Sequence, residues 1–200
     1  MRELIIATHN KGKVKEFKQL LNDLPTQIYS LHDFPEVDEI EETGSTFHEN
    51  AQLKAETIAR QFQKPVLADD SGLVVDALNG APGIYSARYA GEQATDQKNN
   101  DKLLTQLKDI PKNKRTARFV AVVALALQKG ETIYREGICE GTIAFKPVGQ
   151  YGFGYDPIFI PKGYDVTMAQ LNPAEKNQIS HRKRALDKLA LWLEDHEHLL

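Results

Sequence analysis

Short runs of hydrophobic residues alternate along this chain with hydrophobic residues spaced three or four positions apart. The run at 3–7 predicts a strand, and the helical spacing of Val14, Phe17, Leu20 and Leu21 predicts a helix directly after it. Both patterns return further along the chain. They predict strands at 27–31, 65–68, 73–78 and 157–160, and helices from a start near Thr46, over 95–107 and over 173–193.

Two longer features set the expected fold class. Residues 115–127 and 132–145 predict an antiparallel hairpin that turns at 128–131. The apolar run at 65–68 is typical of a parallel strand that is buried on both faces, and we expect it to end at Asp69. Strand–helix units combined with a hairpin predict an α/β fold, with a mixed central sheet flanked by helices.

Composition narrows the class of protein. The 200 residues are 41% hydrophobic and 26% charged, which is ordinary for a globular chain. Their number fits either one large domain or one domain divided into two lobes. A net charge of −3 argues against a histone-like or membrane-surface protein. The single cysteine, Cys139, rules out an intrachain disulfide and is expected to be a packed core residue.

No segment predicts a membrane anchor or an exported protein. The longest apolar run, at 119–127, has about half of the roughly twenty residues that a membrane-spanning helix needs. The apolar run at 4–7 is far too short for a signal-peptide core. We therefore expect a soluble cytoplasmic protein with no membrane partner.

The loop after the first predicted strand is rich in groups that bind anions. Hydroxyl, amide and ammonium groups and backbone N–H groups meet there at the positive end of a helix, which predicts a phosphate site. An ordinary helix cap at Thr8 or Asn10, with solvated lysines, fits the same residues. A Walker A loop is excluded, because Val14 stands where that motif has Ser or Thr. The residues of this loop are Thr8, His9, Asn10, Lys11, Gly12 and Lys13.

Carboxylates concentrate at two places that could hold a cation. Asp69 and Asp70 follow the predicted buried strand, and Glu41 and Glu42 end an acidic run at 36–42. Mg²⁺ prefers such oxygen ligands. However, Asp-Ser-Gly is also common in turns, and adjacent strand residues point to opposite faces, so two neighbouring aspartates would not share one ion within a strand.

Two further segments are weaker signals. Aromatic residues alternate with glycines at 151–157, an arrangement that can stack on a nucleobase but also occurs in plain bends. Residues 176–188 are strongly basic, which usually means a solvated helix face, with Lys176, His181 and Arg182 left to point toward a cleft or water. The acid- and histidine-rich tail at 194–198 is expected to be frayed rather than a metal site.

Six segments, in this order along the chain, resemble the Ham1-like, or inosine triphosphate pyrophosphatase, family. The resemblance covers nearly the whole chain. It rests on 8–13, on 42–44 with 49–51 and Lys54, and on 67–73, 82–89, 153–157 and 180–182. Membership implies an elongated mixed sheet in two lobes with the active-site cleft between them, and a homodimer. It also implies magnesium-dependent release of pyrophosphate from inosine, deoxyinosine and xanthosine triphosphates.

The resemblance also implies roles for individual residues. Glu42 and Asp70 would hold Mg²⁺, with Glu41 and Asp69 as alternatives, and Asp70 would be the base for the attacking water. The triphosphate would be bound by residues 8–13 and Lys54. The remaining nucleotide contacts would come from Ser71, Phe153, Gly154, Tyr155, Asp156, Lys176, His181 and Arg182.

Two other functions fit part of the pattern. An RNA-binding or nucleotide-sensing module could use the aromatics for stacking and the basic helix for phosphates, but the carboxylates beside an anion site and the net charge of −3 argue against it. A triphosphatase that removes only the terminal phosphate is the other alternative. We expect no nucleic-acid partner.

Overall fold

The structure, a computed structural model, describes residues 2–22, 26–38, 40–128 and 131–196. No helix in that part of the chain is long and apolar enough to cross a membrane. The strands are β1 (Arg2–Ile6), β2 (Thr26–Ser30), β3 (Val66–Val75), β4 (Thr116–Ala126), β5 (Thr132–Ile143) and β6 (Phe159–Pro161). The α-helices are α1 (Lys11–Leu20), α2 (Phe47–Phe62), α3 (Asp96–Gln106), α4 (Pro173–Ile179) and α5 (His181–His196).

These strands form one mixed sheet in the order β2-β1-β3-β4-β5-β6. Strand β1 runs parallel to β2 and to β3, with Ile5 opposite Tyr29 and Val66. Strand β6 is antiparallel to β5. The short connection between β4 and β5 can join only antiparallel neighbours, and the Ile143 N–H donates to the Arg115 carbonyl at 2.9 Å where the pair ends. The predicted α/β fold with a mixed sheet is confirmed.

The chain divides into two compact units, which we call the first and second lobes. The first lobe comprises Met1–Asp70, Ala121–Gly137 and Arg182–Leu200, and the second comprises Ser71–Val120 and Ile138–His181. Because the boundaries fall inside β3, β4 and β5, each of these strands contributes residues to both lobes.

Helices cover both faces of the sheet in the first lobe. Leu67 packs with residues of α1 and α5, including Phe17 and Leu189. The next strand residue, Ala68, packs with residues of α2, including Ala55. This alternation is the period of a β-strand, and it explains why β3 is continuously apolar before its aspartates.

A separate hydrophobic core fills the second lobe. Phe119, Cys139 and Phe159 are buried there with Leu103 and Leu107 of α3 and the turn after it. Cys139 is thus a packed core residue, as predicted.

Three elements differ from the sequence-based expectations. Strand β3 does not end at Asp69 but continues to Val75, so the predicted strands at 65–68 and 73–78 are one. The predicted helix at 173–193 is two helices, because Ser180 has an extended backbone (φ −65°, ψ 150°) between them. The segment predicted as a strand at 157–160 begins as a 3-10 turn, and only Phe159–Pro161 pair as a strand.

The start of α2 is capped on one side only. The Thr46 hydroxyl accepts from the Glu49 N–H at 3.1 Å, but the Glu49 carboxylate accepts from the N–H and hydroxyl of Ser45 instead of closing a reciprocal box. Parts of three other expectations lie outside the described residues. These parts are 129–130 of the hairpin turn, Glu39 of the acidic run and 197–198 of the tail.

Candidate functional site

Strand β3 separates two neighbouring carboxylates. Alternate residues of a strand share a face, so Asp69 lies on the same face as Leu67, which α1 and α5 cover. Asp70 lies on the same face as Ala68, which α2 covers. Both side chains are buried, with 2% and 4% of their surface exposed. Two carboxylates this deep are stable only if cations or hydrogen-bond donors surround each of them.

Helix α2 supplies the partners of Asp70. The Asn50 amide donates to Asp70 Oδ2 at 3.0 Å, and Lys54 Nζ lies 3.7 Å from Asp70 Oδ1. Asn50 and Lys54 are one helical turn apart and therefore share a face. Lys54 Nζ also donates to Glu42 Oε1 at 2.6 Å, so one ammonium group pairs with two carboxylates.

The surroundings of Asp70 raise the pKa of its carboxyl above the usual value. Burial raises the pKa of the Asp70 carboxyl, Lys54 opposes the shift, and the like charge of Glu42 adds to it, leaving the pKa raised. Burial works to lower the pKa of Lys54, but Asp70, Asp69 and Glu42 outweigh it and the pKa is raised. The ammonium group therefore stays charged between two acids.

The donor set of this cluster fits Mg²⁺. Glu42 is half buried and shares Lys54 with Asp70, whereas Glu41 is exposed to solvent. The described residues include no group of three or more His, Cys, Asp or Glu able to hold a metal. Magnesium commonly takes only one or two carboxylates and fills its shell with water and substrate phosphates, so Glu42 and Asp70 suit it.

Asp69 belongs to a different charge cluster. Arg182 Nε donates to Asp69 Oδ2 at 3.1 Å, Lys13 Nζ lies 3.1 Å from Asp69 Oδ1, and Arg182 Nη1 donates to Glu16 Oε2 at 2.6 Å. Burial would raise the pKa of Asp69, but Lys13, Arg182 and Lys54 together hold it well below its usual range. Asp69 is thus a permanently charged anchor for two cations.

Glu16 was missed by the sequence analysis. It is 7% exposed, although a glutamate in an amphipathic helix ordinarily faces solvent. Its place directly before the core residue Phe17 was the available signal, and its partner Arg182 is far away in the sequence.

The predicted anion loop also caps α1. Asn10 Oδ1 accepts from the Lys13 N–H at 3.1 Å, and the Thr8 hydroxyl accepts from the Asn10 N–H at 3.2 Å. His9 Nε2 lies 3.2 Å from the Val37 carbonyl oxygen. Lys11 is exposed and Gly12 is half buried. The helix-cap interpretation is therefore correct for Asn10, and the positive helix end remains available to an anion.

The aromatic–glycine segment is organised by a buried carboxylate of the second lobe. Asp156 Oδ2 accepts from the Phe153 N–H at 2.9 Å and from Lys176 Nζ at 2.7 Å. Lys176 Nζ also lies 4.6 Å from the centroid of the Phe153 ring, within the range of a cation–π contact. Gly152 has φ +76°, and a Cβ there would come within 2.0 Å of Asp156 Oδ2, so only glycine fits.

Three other predicted residues are accounted for in the second lobe. The Tyr155 hydroxyl donates to the Ser86 carbonyl at 2.8 Å. Burial raises the pKa of this hydroxyl. His181 is buried and stacks on Phe119, with ring centroids 4.9 Å apart and an interplanar angle of 11°. Ser71 is half buried in β3 directly after Asp70.

The expectation was that Lys176, His181 and Arg182 point toward a cleft or water, and it is wrong as regards water. Each is at most 5% exposed. Lys176 and Arg182 are paired with Asp156 and Asp69, because a buried cation needs a partner. The His181 ring stacks on Phe119.

Comparison with known proteins identifies the family. The Ham1 family matches residues 4–192. The chain is 57% identical to a dITP/XTP pyrophosphatase of Oceanobacillus iheyensis over 194 residues, covering 96% of this chain and 98% of that protein. It is 56% identical to a dITP/XTP pyrophosphatase of Bacillus subtilis over 194 residues, covering 97% of this chain and 98% of the other.

Solved structures agree. The Ham1 protein of Staphylococcus aureus superposes with a TM-score of 0.87 at 46% identity, covering 98% of this chain and 100% of that one. A HAM1 protein of Coxiella burnetii gives a TM-score of 0.88 at 44% identity, with the same coverage. The chain belongs to the Ham1 family.

Proposed function

We propose that this chain hydrolyses purine nucleoside triphosphates with non-standard bases, namely dITP, ITP and XTP, to the monophosphate and pyrophosphate. The names of its relatives, dITP/XTP pyrophosphatase, support this substrate class. The observation that carries the proposal is the cluster of Glu42, Lys54 and Asp70, in which a cation and two carboxylates meet in a buried setting. Such a cluster suits hydrolysis of a phosphoric anhydride.

In this proposal the first lobe handles the phosphates. Lys13, Lys54 and the N-terminus of α1 supply positive charge for the triphosphate. Lys13 is held by Asp69, so its ammonium group is placed before the substrate arrives. A preplaced cation loses little freedom on binding.

Asp70 is the proposed general base. The Asn50 amide fixes the orientation of its carboxylate. Without a bound metal, burial and Glu42 raise the pKa of Asp70, which favours proton acceptance. Glu42 and Asp70 would hold Mg²⁺, which when bound neutralises phosphate charge and polarises the anhydride.

The second lobe is proposed to recognise the purine. Phe153 offers an aromatic face, and Lys176 is fixed by Asp156 beside it. Contacts from His181 and Arg182 to the base remain part of the proposal; the Arg182 Nε and Nη1 atoms already donate to Asp69 and Glu16. The homodimer in this proposal rests on the family resemblance, and the cytoplasmic location rests on the single cysteine and the short apolar runs of the sequence.

Product analysis tests the proposal. The purified chain is incubated with Mg²⁺ and each of dITP, ITP, XTP, GTP and ATP, and phosphorus NMR identifies the products. We expect pyrophosphate and monophosphate from the first three substrates, kcat/KM for ATP lower by several orders of magnitude, and no turnover with a chelator. Orthophosphate as the first product would favour the terminal-phosphate triphosphatase, and no product with any substrate would revive the binding-module alternative.

A further inference from the structure

Helix α3 holds the backbone of Gly154, although the sequence analysis assigned this helix no chemistry. The Gly154 N–H donates to Asp96 Oδ2 at 2.7 Å. The Gly154 carbonyl accepts from Asn100 Nδ2 at 3.1 Å. Both hydrogen-bonding groups of one glycine are therefore held by one helix.

The geometry of α3 fixes the positions of the two side chains that make these hydrogen bonds. Asp96 and Asn100 are four residues apart, so their side chains lie on one face, one above the other. Thr95 caps the helix by accepting from the Lys98 N–H at 3.2 Å, which fixes the first turn where Asp96 stands.

Gly154 depends on these two hydrogen bonds to keep one backbone conformation. Its φ is +62°, in the left-handed region, and a glycine has more backbone conformations to lose than any other residue. A Cβ built on Gly154 would have no atom within 4 Å, so open space adjoins this stretch of backbone. A flat ligand could approach there, but only if the two peptide planes keep one orientation.

The other residues of the segment are held separately. Asp156 accepts from the Phe153 N–H, and the Tyr155 hydroxyl donates to the Ser86 carbonyl. Without the two hydrogen bonds from α3, Gly154 would be held only by the turn in which the Asp156 N–H donates to the Phe153 carbonyl at 3.3 Å.

The second atom of the Asn100 amide argues that this contact serves more than stability. Asn100 is 4% exposed, and its Oδ1 has no hydrogen-bond partner among the described residues. A buried acceptor without a partner destabilises a fold, so an apolar side chain of similar size would suit a purely structural position better. The Nδ2 contact to Gly154 is the evident benefit of an amide here.

We propose that Asp96 and Asn100 are positioning residues that fix Gly154 and, through it, the segment that receives the purine base. This inference rests on the proposed function. It adds two residues of α3 to the determinants of base binding and assigns them no contact with substrate.

The test compares substrates with and without a base. For Asp96→Ala and Asn100→Leu we expect KM for ITP to rise about tenfold with kcat changed less than about twofold, since binding of the base must then also order Gly154, at a cost similar to that of about one hydrogen bond. Inhibition by inorganic tripolyphosphate, which has phosphates and no base, should be unchanged. Asp96→Asn should restore most of the affinity, because its amide oxygen still accepts from Gly154. Asp101→Ala is the matched control, since Asp101 lies on α3 and its carboxylate accepts from Gln97.

The outcomes separate the two proposals. An unmodified chain that releases no pyrophosphate from ITP overturns the proposed function and this inference with it. An active unmodified chain with unchanged KM in both variants overturns the positioning role alone. A variant that weakens tripolyphosphate inhibition as much as ITP binding, with a lower melting temperature, shows a purely structural role and overturns it as well.

Discussion

At the scale of single residues, the pKa values of Asp69 and Asp70 shift in opposite directions although the two residues are adjacent. Asp69 faces Lys13 and Arg182, which outweigh its burial and lower its pKa. Asp70 faces Lys54 together with the like charge of Glu42, and its pKa is raised. The Asp69 carboxyl is therefore the stronger acid of the two, and the Asp70 carboxylate is the better proton acceptor.

A matched pair of variants tests whether Glu42 or Glu41 holds the proposed Mg²⁺. Glu42→Gln removes a carboxylate from the cluster around Lys54, and we expect kcat/KM for ITP to fall by about 100-fold or more. The Mg²⁺ concentration needed for half-maximal rate should rise as well. Glu41→Gln changes an exposed side chain and should stay within about twofold of the unmodified chain. Steady-state kinetics over a Mg²⁺ titration decides, and equal losses in both variants would contradict the assignment.

Arg182 is expected to stabilise the first lobe. Arg182→Ala leaves the buried carboxylates of Asp69 and Glu16 without their guanidinium partner, which should lower the free energy of unfolding by about 3–5 kcal/mol. Urea denaturation measures the change. Lys183→Ala is the control, because its partner Asp187 is largely exposed and the loss should be at most about 1 kcal/mol. Similar losses in both variants would show that the buried network contributes little.

At the scale of elements, Arg115 joins the end of α3 to the end of β5. Its guanidinium donates to the carbonyls of Leu107, Ile143 and Ala144 at 2.8–3.0 Å, and the residue is 1% exposed. The sequence analysis did not single it out, since its partners are backbone atoms, which leave no mark in a pattern of side chains.

Replacing Arg115 should therefore destabilise the fold more than replacing Arg118, a partly exposed arginine of β4. Arg115→Ala removes three charged hydrogen bonds to carbonyls, and we expect a loss of about 3 kcal/mol in unfolding free energy. Arg118→Ala breaks a partly exposed pair with Asp76 and should cost at most about 1 kcal/mol. Denaturant titration of both variants gives the comparison, and a loss below 1 kcal/mol for Arg115→Ala would contradict it.

Tyr155 predicts a decrease in stability at alkaline pH. Its folded-state pKa is raised above the usual 10.0, first by burial and then by Tyr89 and Asp96, so the folded state retains its proton longer than the unfolded state does. The contribution to stability is therefore complete below about pH 10 and is lost as the pH rises further. We expect unfolding free energies measured between about pH 9 and pH 11 to fall less steeply for Tyr155→Phe. Identical slopes would show that Tyr155 does not contribute.

Local patterns predicted most elements but not the places where distant residues decide. The apolar run of β3 was recognised, yet its end was placed at Asp69 because two aspartates ordinarily stop a strand. The strand continues since Lys13 and Lys54, from two different helices, neutralise those aspartates in place. The motifs identified the carboxylates and lysines of the site, and the alternation of strand residues placed Asp69 and Asp70 on opposite faces if the strand continued past them. Only the folded chain shows that it does continue.

At the scale of the whole molecule, ligand binding should be visible as thermal stability. A non-hydrolysable ITP analogue at one hundred times its Kd would contribute about 2.7 kcal/mol. For a chain of this size, that raises Tm by roughly 5–10 °C in the presence of Mg²⁺. The shift should shrink when a chelator replaces Mg²⁺, and the matching ATP analogue should give little shift at the same concentration. Differential scanning calorimetry measures all three, and an equal shift for the ATP analogue would contradict base selectivity.

The buried pairing of Arg182 also bears on how the protein is made. Arg182 follows Glu16 by 166 positions and Asp69 by 113. At a synthesis rate of about 5–20 residues per second, Glu16 waits roughly 8–33 s for the guanidinium that neutralises it. Asp69 already has Lys13 as a partner, but during that interval Glu16 lacks the guanidinium and its carboxylate must remain hydrated. We therefore expect the packing of α1 around Glu16 to be completed late in biosynthesis, after Arg182 has emerged.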